Sequence, residues 1–315
     1  MRHAFASVLL LCLVTTHTAP AAAKGIELDS REYKLMLDPD RFTGDVPEKA
    51  VEDFIRDQLG PALRTSFGDD AADELAAKGV GLEKRRSVRF RDTNSCALTT
   101  NGFAFRERVD LSEEDRPTSD PEITLKFRSP DLFLAATMRL EARAEGAETK
   151  LEEDIGPLSL TSEEERVVAL PRSTRSQFSR STSQTVDPDA LPQTLEDIDR
   201  LYPTFDEDLR FIAGEIELGT PLTPGPDYRE LVYRSSKLEV AKHTKAEFSL
   251  TIWYGGADNR TEPALAEVSF SYDTDHGEVP AKAAHRSRAL LLAMQDLAWA
   301  EPGAPTKTAL AACPD

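Results

Sequence analysis

The chain has 315 residues, 40% of them hydrophobic and 30% charged, with 56 acidic against 38 basic residues and a net charge of −18. That is enough chain to bury a sizeable core in one large domain or two modest ones. A surface this acidic excludes broad, sequence-independent binding to nucleic acid or anionic lipid, which rests on Lys and Arg neutralising phosphates; a small basic pocket inside an acidic shell stays open.

Arg2 and His3 precede an apolar run from Ala4 to Val14, and a Thr/Pro/Ala segment then ends in Ala21-Ala22-Ala23 before Lys24. The pattern predicts a secretory signal peptide over residues 1–23; its apolar run falls well short of the ~20 residues that span a bilayer. Cleavage would leave 292 residues, secreted or periplasmic and without membrane attachment. Cys96 and Cys313 would remain in an oxidising compartment. A disulfide tying the C-terminal tail to the body is the preferred reading, and two separate buried thiols the other, since spacing alone cannot show whether the sulfurs meet.

From Ile26 to Leu37 the sequence IELDSREYKLML is strand-like, with Ser30, Glu32 and Lys34 on one face and Arg31, Tyr33 and Leu35 on the other. Helices follow. Asp45 and Pro47 make a start signal, Val51, Phe54, Ile55 and Leu59 recur at helical spacing, and a second acidic helix is predicted from Asp69 to Lys78. From Gly79 to about Tyr272 the runs SVRFR, FAFRERV, EITLKFR, MRLEARAE, KLEVAKHTKAEFSLTIWY and LAEVSFSY alternate with a period of two, as half-buried antiparallel strands do. Arg89 and Arg91 share a face, as do Arg106 and Arg108, then Thr124, Lys126 and Arg128, then Arg139, Glu141, Arg143 and Glu145. One such face is an ordinary solvated one. Four in a row suit a barrel interior that takes a multiply charged anion.

Between Pro171 and Pro203 a Ser/Thr/Gln segment with Arg172, Arg175 and Arg180 lacks apolar periodicity. It reads as a flexible insertion, with a basic lid as the functional alternative, and runs into a short acidic helix from about Pro192 to Tyr202. The chain closes on HRSRALLLAMQDLAWA, an amphipathic helix whose stripe of Leu290, Leu291, Met294 and Leu297 is predicted to close the core.

The segment FRDTNSCALTTNGFAFRER is more specific. Phe90, Asp92, Thr93, Leu98, Gly102, Ala104, Arg106 and Arg108, followed by Thr124, Leu125 and Lys126, stand in an order that resembles the CYTH, or triphosphate tunnel metalloenzyme, superfamily. Ser30-x-Glu32-x-Lys34 resembles that family's first strand, Arg139-x-Glu141-x-Arg143 its Arg-x-Glu-x-Glu strand, and Glu267-x-Ser269 its late Glu-x-Glu strand. The resemblance spans roughly Glu27 to Tyr272. It implies an α+β fold, an eight-stranded antiparallel β-barrel or tunnel with flanking helices. It further implies phosphate contacts from Lys34, Arg89, Arg91, Arg106, Arg108, Lys126, Arg128 and Arg139, and Mg²⁺ or Mn²⁺ held by Glu32, Glu141 and Glu267, with Glu32 and Glu141 catalytic. The chemistry is coherent: side chains at i and i+2 of a strand converge on one anion as charge-assisted donors, and carboxylate oxygens suit hard divalent cations. Ser30, Arg143 and Ser269 stand where the family has a second Glu, and Lys150-x-Glu152-x-Asp154 adds an acidic pair at strand spacing.

The domain expectation is a single tunnel-like unit over 24–315 with a flexible insertion at 171–203. Three functions compete: a metal-dependent phosphohydrolase acting on triphosphate, a nucleoside triphosphate or short polyphosphate; a non-catalytic polyanion-binding protein of the same fold; and a β-rich secreted domain with solvated strand faces. The partner expected of the first two is a polyphosphorylated small molecule or inorganic polyphosphate. The sequence contains no Gly-x-Ser-x-Gly elbow, phosphate-binding Gly-rich loop or Cys-x2-Cys pair.

Overall fold

The computed structural model describes residues 25–161, 167–255, 261–275, 277–311 and 313; the predicted leader, residues 1–23, lies outside them. Strand β1 (Ser30–Leu37) leads into a helical run made of α1 (Glu48–Asp53), a π-helical turn (Phe54–Leu59) and α2 (Gly60–Phe67), followed by α3 (Asp69–Lys78). Next come β2 (Val80–Asp92), α4 (Ala97–Thr100), β3 (Phe103–Asp110), β4 (Glu122–Ser129) and α5 (Leu132–Thr137). A long hairpin, β5 (Glu148–Thr161) and β6 (Val167–Thr185), precedes α6 (Leu195–Leu201) and α7 (Phe205–Ala213). The chain ends with β7 (Thr223–Ser235), β8 (Leu238–Ala241), β9 (Thr244–Gly255), β10 (Pro263–Asp273), α8 (Ala281–Met294) and α9 (Lys307–Ala311).

Nine strands close into a barrel in the order β10-β1-β5-β6-β4-β3-β2-β7-β9, with β9 pairing back to β10 and β8 lying outside on β9. The expectation of eight antiparallel strands is corrected accordingly. A ring in which every neighbour is antiparallel needs an even number of strands, so a ninth strand forces a parallel contact. It falls between β1 and β5, where Ser30 lies opposite Glu152 and Glu32 opposite Asp154. Closure leaves the barrel without an edge strand, although β1 pairs with β5 only over Ser30–Tyr33.

Helices cover two walls. Val51, Phe54, Leu59, Leu290, Leu291 and Met294 pack on the outer faces of β1, β9 and β10, where the Tyr33 and Phe270 rings stack at 4.8 Å. Leu195, Ile198, Tyr202 and Phe205 from α6 and α7 pack on Phe103, Phe105, Leu125 and Phe127 of β3 and β4. Helices α6 and α7 thus turn their apolar side chains toward the odd-numbered residues of β3 and β4, which leaves the even-numbered residues of these two strands facing inward.

Two segments differ from the sequence expectation. Residues 171–203, expected as a flexible insertion, contain the second half of β6, paired with both β4 and β5, and helix α6 behind a capping box formed by Thr194 and Asp197. Apolar periodicity is missing there because Gln177, Ser181 and Ser183 line a polar cavity. The run MRLEARAE is not a strand. Met138 and Leu140 are buried with the α6 and α7 side chains, Leu140 has a φ of 45°, the amides of Arg139 and Leu140 donate to Asp208 Oδ2, and that of Glu141 donates to Thr204 Oγ1. Helix side chains satisfy these backbone groups, so the segment joins no ladder, and β5 occupies the wall instead.

Two residues of the family-like motif prove to be architectural. The Asp92 carboxylate, fully buried, accepts from the amides of Thr93, Leu98 and Thr99 and from Thr99 Oγ1 at 2.7 to 2.9 Å, fastening the β2–β3 connection. Gly102 has a φ of 78°, and a Cβ there would stand 2.7 Å from the Arg128 carbonyl, so only glycine lets β3 start this close to β4.

Candidate functional site

Inside the barrel, Met36, Val88, Phe90, Ala104, Tyr228, Trp253 and Leu265 form an apolar layer. Next to it opens a cavity of about 910 Å³ lined by twelve Lys and Arg against nine Asp and Glu, a local excess of positive charge in a chain whose net charge is −18. Of the residues expected to contact phosphate, Lys34, Arg106, Arg108, Lys126 and Arg128 line it, and so do Glu32 and Glu267 of those expected to hold a metal.

Arg89, Arg91, Arg139 and Glu141 do not line it, which corrects their assignment as site residues. Val88 and Phe90 take the inward positions of β2, so alternation turns Arg89 and Arg91 outward, where they meet Asp227 at 3.6 Å and Glu107 at 3.0 Å. Arg139 lies on the α7 side, 2.5 Å from Glu207 and 3.8 Å from Asp208, and Glu141 is exposed on the same irregular segment.

Nearly every inward carboxylate carries its own cation. The Lys34 ammonium lies 2.9 Å from both Glu32 and Asp154, and Asp154 also faces Lys126 at 3.7 Å and Arg128 at 3.8 Å. Glu152 meets Lys126 at 3.7 Å and accepts from Ser30 Oγ at 2.9 Å. Glu230, 1% exposed, is held by Arg86 at 2.6 Å, Arg108 at 3.6 Å and the Trp253 indole N–H at 3.0 Å. Glu267, 6% exposed at its side chain, meets Lys307 at 2.7 Å.

Burial pushes the Asp154 and Glu230 carboxyls up, but Lys126, Lys34 and Arg128 around the first and Arg108 and Arg86 around the second outweigh it and hold both well below the usual carboxylate range. Burial likewise raises Glu32, and Lys34 reverses that, leaving it lowered. Lys34 itself is pulled down by burial and raised on balance by Asp154 and Glu32. For Lys126 burial wins over Asp154, and its ammonium is brought down to about 8.

Arg106 stands outside this pairing. Its Nη2 donates to Thr124 Oγ1 at 3.2 Å, its Nε has no hydrogen-bond partner, and among the described residues no carboxylate comes within ion-pair distance of it. Burial, reinforced by the neighbouring Arg108, lowers its pKa well below the arginine value.

The metal expectation does not fit this arrangement. Glu141 is outside the barrel, Glu32 and Glu267 are each neutralised by a lysine, and among the described residues no three His, Cys, Asp or Glu converge to hold a metal ion. Ser30 and Ser269, where a second acid is missing, are buried on the inner faces of β1 and β10.

Sequence reasoning missed three contributors, Arg86, Glu230 and Lys307, and noted Asp154 only as part of an acidic pair without a role. Arg86 and Glu230 were legible in principle, since Arg86 shares the inward face of Val88 and Phe90 and lies opposite Glu230 in the β2–β7 register. Asp154 takes, with Glu152, the role assigned to the Arg139–Arg143 run. Lys307 carried no local signal at all. Cys96 and Cys313 form a disulfide across 217 residues of chain, with a Cα–Cα separation of 5.5 Å.

No family model and no curated protein matches the chain. Among solved structures it is similar to a candidate adenylyl cyclase from Hippeastrum described as having a dominant triphosphatase activity (11% identity, 90% of this chain and 94% of that one, TM-score 0.42). It is also similar to candidate adenylate cyclases from Bacillus halodurans (12% identity, 90% and 96% coverage, TM-score 0.37) and Vibrio parahaemolyticus (13% identity, 90% and 97% coverage, TM-score 0.30). Scores of this size add nothing to what the barrel itself shows. The structures that this chain is similar to are of the CYTH type, the family its motif order resembles.

Proposed function

We propose that the barrel interior is a binding site for a polyphosphorylated anion, namely inorganic triphosphate, a nucleoside triphosphate or short polyphosphate, held without hydrolysis by a resident divalent metal. The observation that carries this reading is Arg106: a buried guanidinium with no carboxylate partner among the described residues, lining the cavity beside Arg108 and Lys126. A buried charge without a counter-charge is strongly disfavoured, and an anion entering the cavity would supply one. Arg106 and Arg108 would hold one end of the anion and Lys126, Arg128 and Lys34 the other. The binding reading is preferred to the phosphohydrolase reading because, of the three carboxylates expected to hold a metal, Glu32 and Glu267 are already engaged by lysines and Glu141 does not line the cavity. A secreted or periplasmic location is proposed with it on the leader-like N-terminus and the disulfide; no helix among the described residues is long and apolar enough to cross a membrane.

The test is titration calorimetry with tripolyphosphate in EDTA, on the wild type and on Arg106→Gln, followed by a phosphate-release assay with Mg²⁺ or Mn²⁺. Binding by the wild type, lost in Arg106→Gln and unaccompanied by release, is expected. Metal-dependent release would restore the hydrolase, and no binding of any polyphosphate would leave the solvated-face reading in possession.

A further inference from the structure

The C-terminal segment completes one wall of the barrel. Strands β1 and β5 pair only from Ser30 to Tyr33, although β1 runs on to Leu37 and β5 to Thr161. Past that seam the edge of β1 that faces β5 is taken by the C-terminal strap, the chain from Trp299 to Cys313. Leu37, paired with Ala266 of β10 on one side, bridges Ala300 on the other. The Glu301 amide donates to the Met36 carbonyl at 2.8 Å, and the Asp38 amide to the Trp299 carbonyl at 2.9 Å. Backbone groups that β5 leaves without a ladder thus find partners in the strap.

The strap is fixed at its two ends and lightly held between them. At its start the Trp299 ring packs on Phe42 and Phe54, with centroids 5.5 Å and 5.8 Å from theirs. At its far end Cys313 is bonded to Cys96, in the β2–β3 connection that the Asp92 carboxylate fastens. From Pro302 to Ala311 the backbone hydrogen bonds of the described residues stay inside the strap, the Ala304 amide donating to the Glu301 carbonyl and the Leu310 amide to the Thr306 carbonyl, both at 2.9 Å. Side chains make the contacts with the barrel: Ala304 and Leu310 lie on the interior apolar layer, and Lys307 reaches Glu267 at 2.7 Å. Thr306, Lys307 and Ala309 line the cavity. A segment with few buried apolar contacts and no backbone ladder opens locally at low cost unless its free end is tied, and the disulfide is the tie.

We infer that the strap is a latched gate. With the Cys96–Cys313 disulfide formed, the stretch from Ala304 to Ala311 covers the cavity where β1 and β5 part; with the disulfide broken, that stretch swings out and opens an entrance there. Pro302 and Gly303, next to the Ala300 bridge, place a turn-forming pair at the pivot. Breaking the bond takes two electrons and two protons from an external dithiol, which is oxidised to its own disulfide as Cys96 and Cys313 become thiols. At the Ser30 end the cavity has a mouth of its own, lined by the exposed Lys237 and Lys245, so the gate adds a second way in and out. Passage of a polyphosphate through the gate rests on the polyphosphate-binding reading; the gate itself does not.

The experiment uses four forms of the full chain: the oxidised wild type, the wild type reduced with dithiothreitol, the double variant Cys96→Ser/Cys313→Ser, and Lys307→Met with its disulfide intact. Hydrogen exchange read by mass spectrometry follows a peptide covering the strap and, beside it, one covering β10. Release of radiolabelled tripolyphosphate is timed in EDTA after a chase with the unlabelled compound. In both unlatched forms the strap amides are expected to exchange at least about tenfold faster than in the oxidised wild type, with β10 still protected, and the label to leave at least about tenfold faster. Lys307→Met separates unlatching from the mere loss of an ammonium, and its strap should stay within about twofold of the oxidised wild type. Equal strap protection in all forms, loss at β10 together with the strap, or a strap as open in Lys307→Met as in the unlatched forms overturns the inference. Faster strap exchange with unchanged release of the label overturns its role as an entrance. If no form binds tripolyphosphate, the polyphosphate reading falls while the exchange measurement still decides the gate.

Discussion

Replacing Lys126 by methionine should stabilise the ligand-free protein and abolish its response to polyphosphate. Lys126 lies on β4 with 14% of its side chain exposed, and its carboxylate partners stand off at 3.7 Å. Burial brings its pKa from 10.5 to about 8, a value that already contains the attraction of Asp154. At about 1.4 kcal/mol per pH unit, holding the charged form inside costs about 3 kcal/mol relative to the unfolded chain. Methionine keeps the stem and removes the charge, so Lys126→Met should gain most of that figure at pH 7. A Tm rise of about 6 °C follows at roughly 2 °C per kcal/mol for a domain of this size.

The sign of the pH dependence is set by the same shift. Between about 8 and 10.5 the unfolded chain binds the Lys126 proton and the folded chain does not, so wild-type stability rises with pH across that window relative to the variant. Below about 8 both states are protonated and the penalty is constant. The Tm gap between variant and wild type should therefore be full at pH 7 and shrink by pH 10. Thermal unfolding of both proteins at the two pH values, with and without tripolyphosphate, is the assay. Tripolyphosphate should raise the wild-type Tm at pH 7, less so above pH 8 as the ammonium loses its proton, and leave the variant unmoved. A variant less stable than wild type at pH 7, or a gap independent of pH, would refute the buried-charge argument.

Gly102→Ala should destabilise by about 2–4 kcal/mol in urea unfolding, from the left-handed φ and the approach to the Arg128 carbonyl together. Asp92→Ala strands three amides of the β2–β3 connection, so a loss of about 3 kcal/mol is expected in the same measurement. Glu141→Ala and Arg139→Ala should leave tripolyphosphate affinity within about twofold of wild type by calorimetry, since neither residue lines the cavity. An effect as large as that of Arg106→Gln would return the Arg139–Arg143 run to the site.

The alternating pattern by itself determined a good deal. It placed Arg106 with Arg108 and Lys126 with Arg128 on common faces, because successive strand side chains point to opposite sides whatever the fold. It also identified the apolar stripes around Phe54 and Leu290 that cover the barrel, because helical spacing marks a buried face locally. Which face of a strand looks inward is a different matter. Arg89 and Arg91 alternate as regularly as Arg106 and Arg108, and only the packing of Val88 and Phe90 on the interior apolar layer sends them out. The Arg139–Arg143 run has a strand's pattern, yet Asp208 and Thr204, more than 60 residues away in the chain, satisfy its backbone and keep it off the barrel. Closure with nine strands, the pairing of Glu230 with Arg86, the Cys96–Cys313 tie and the arrival of Lys307 at Glu267 are likewise contacts between distant segments. The sequence determined which charges travel together; the tertiary structure decided which of them face one another, because that depends on how the ring closes and where the C-terminal strap enters it.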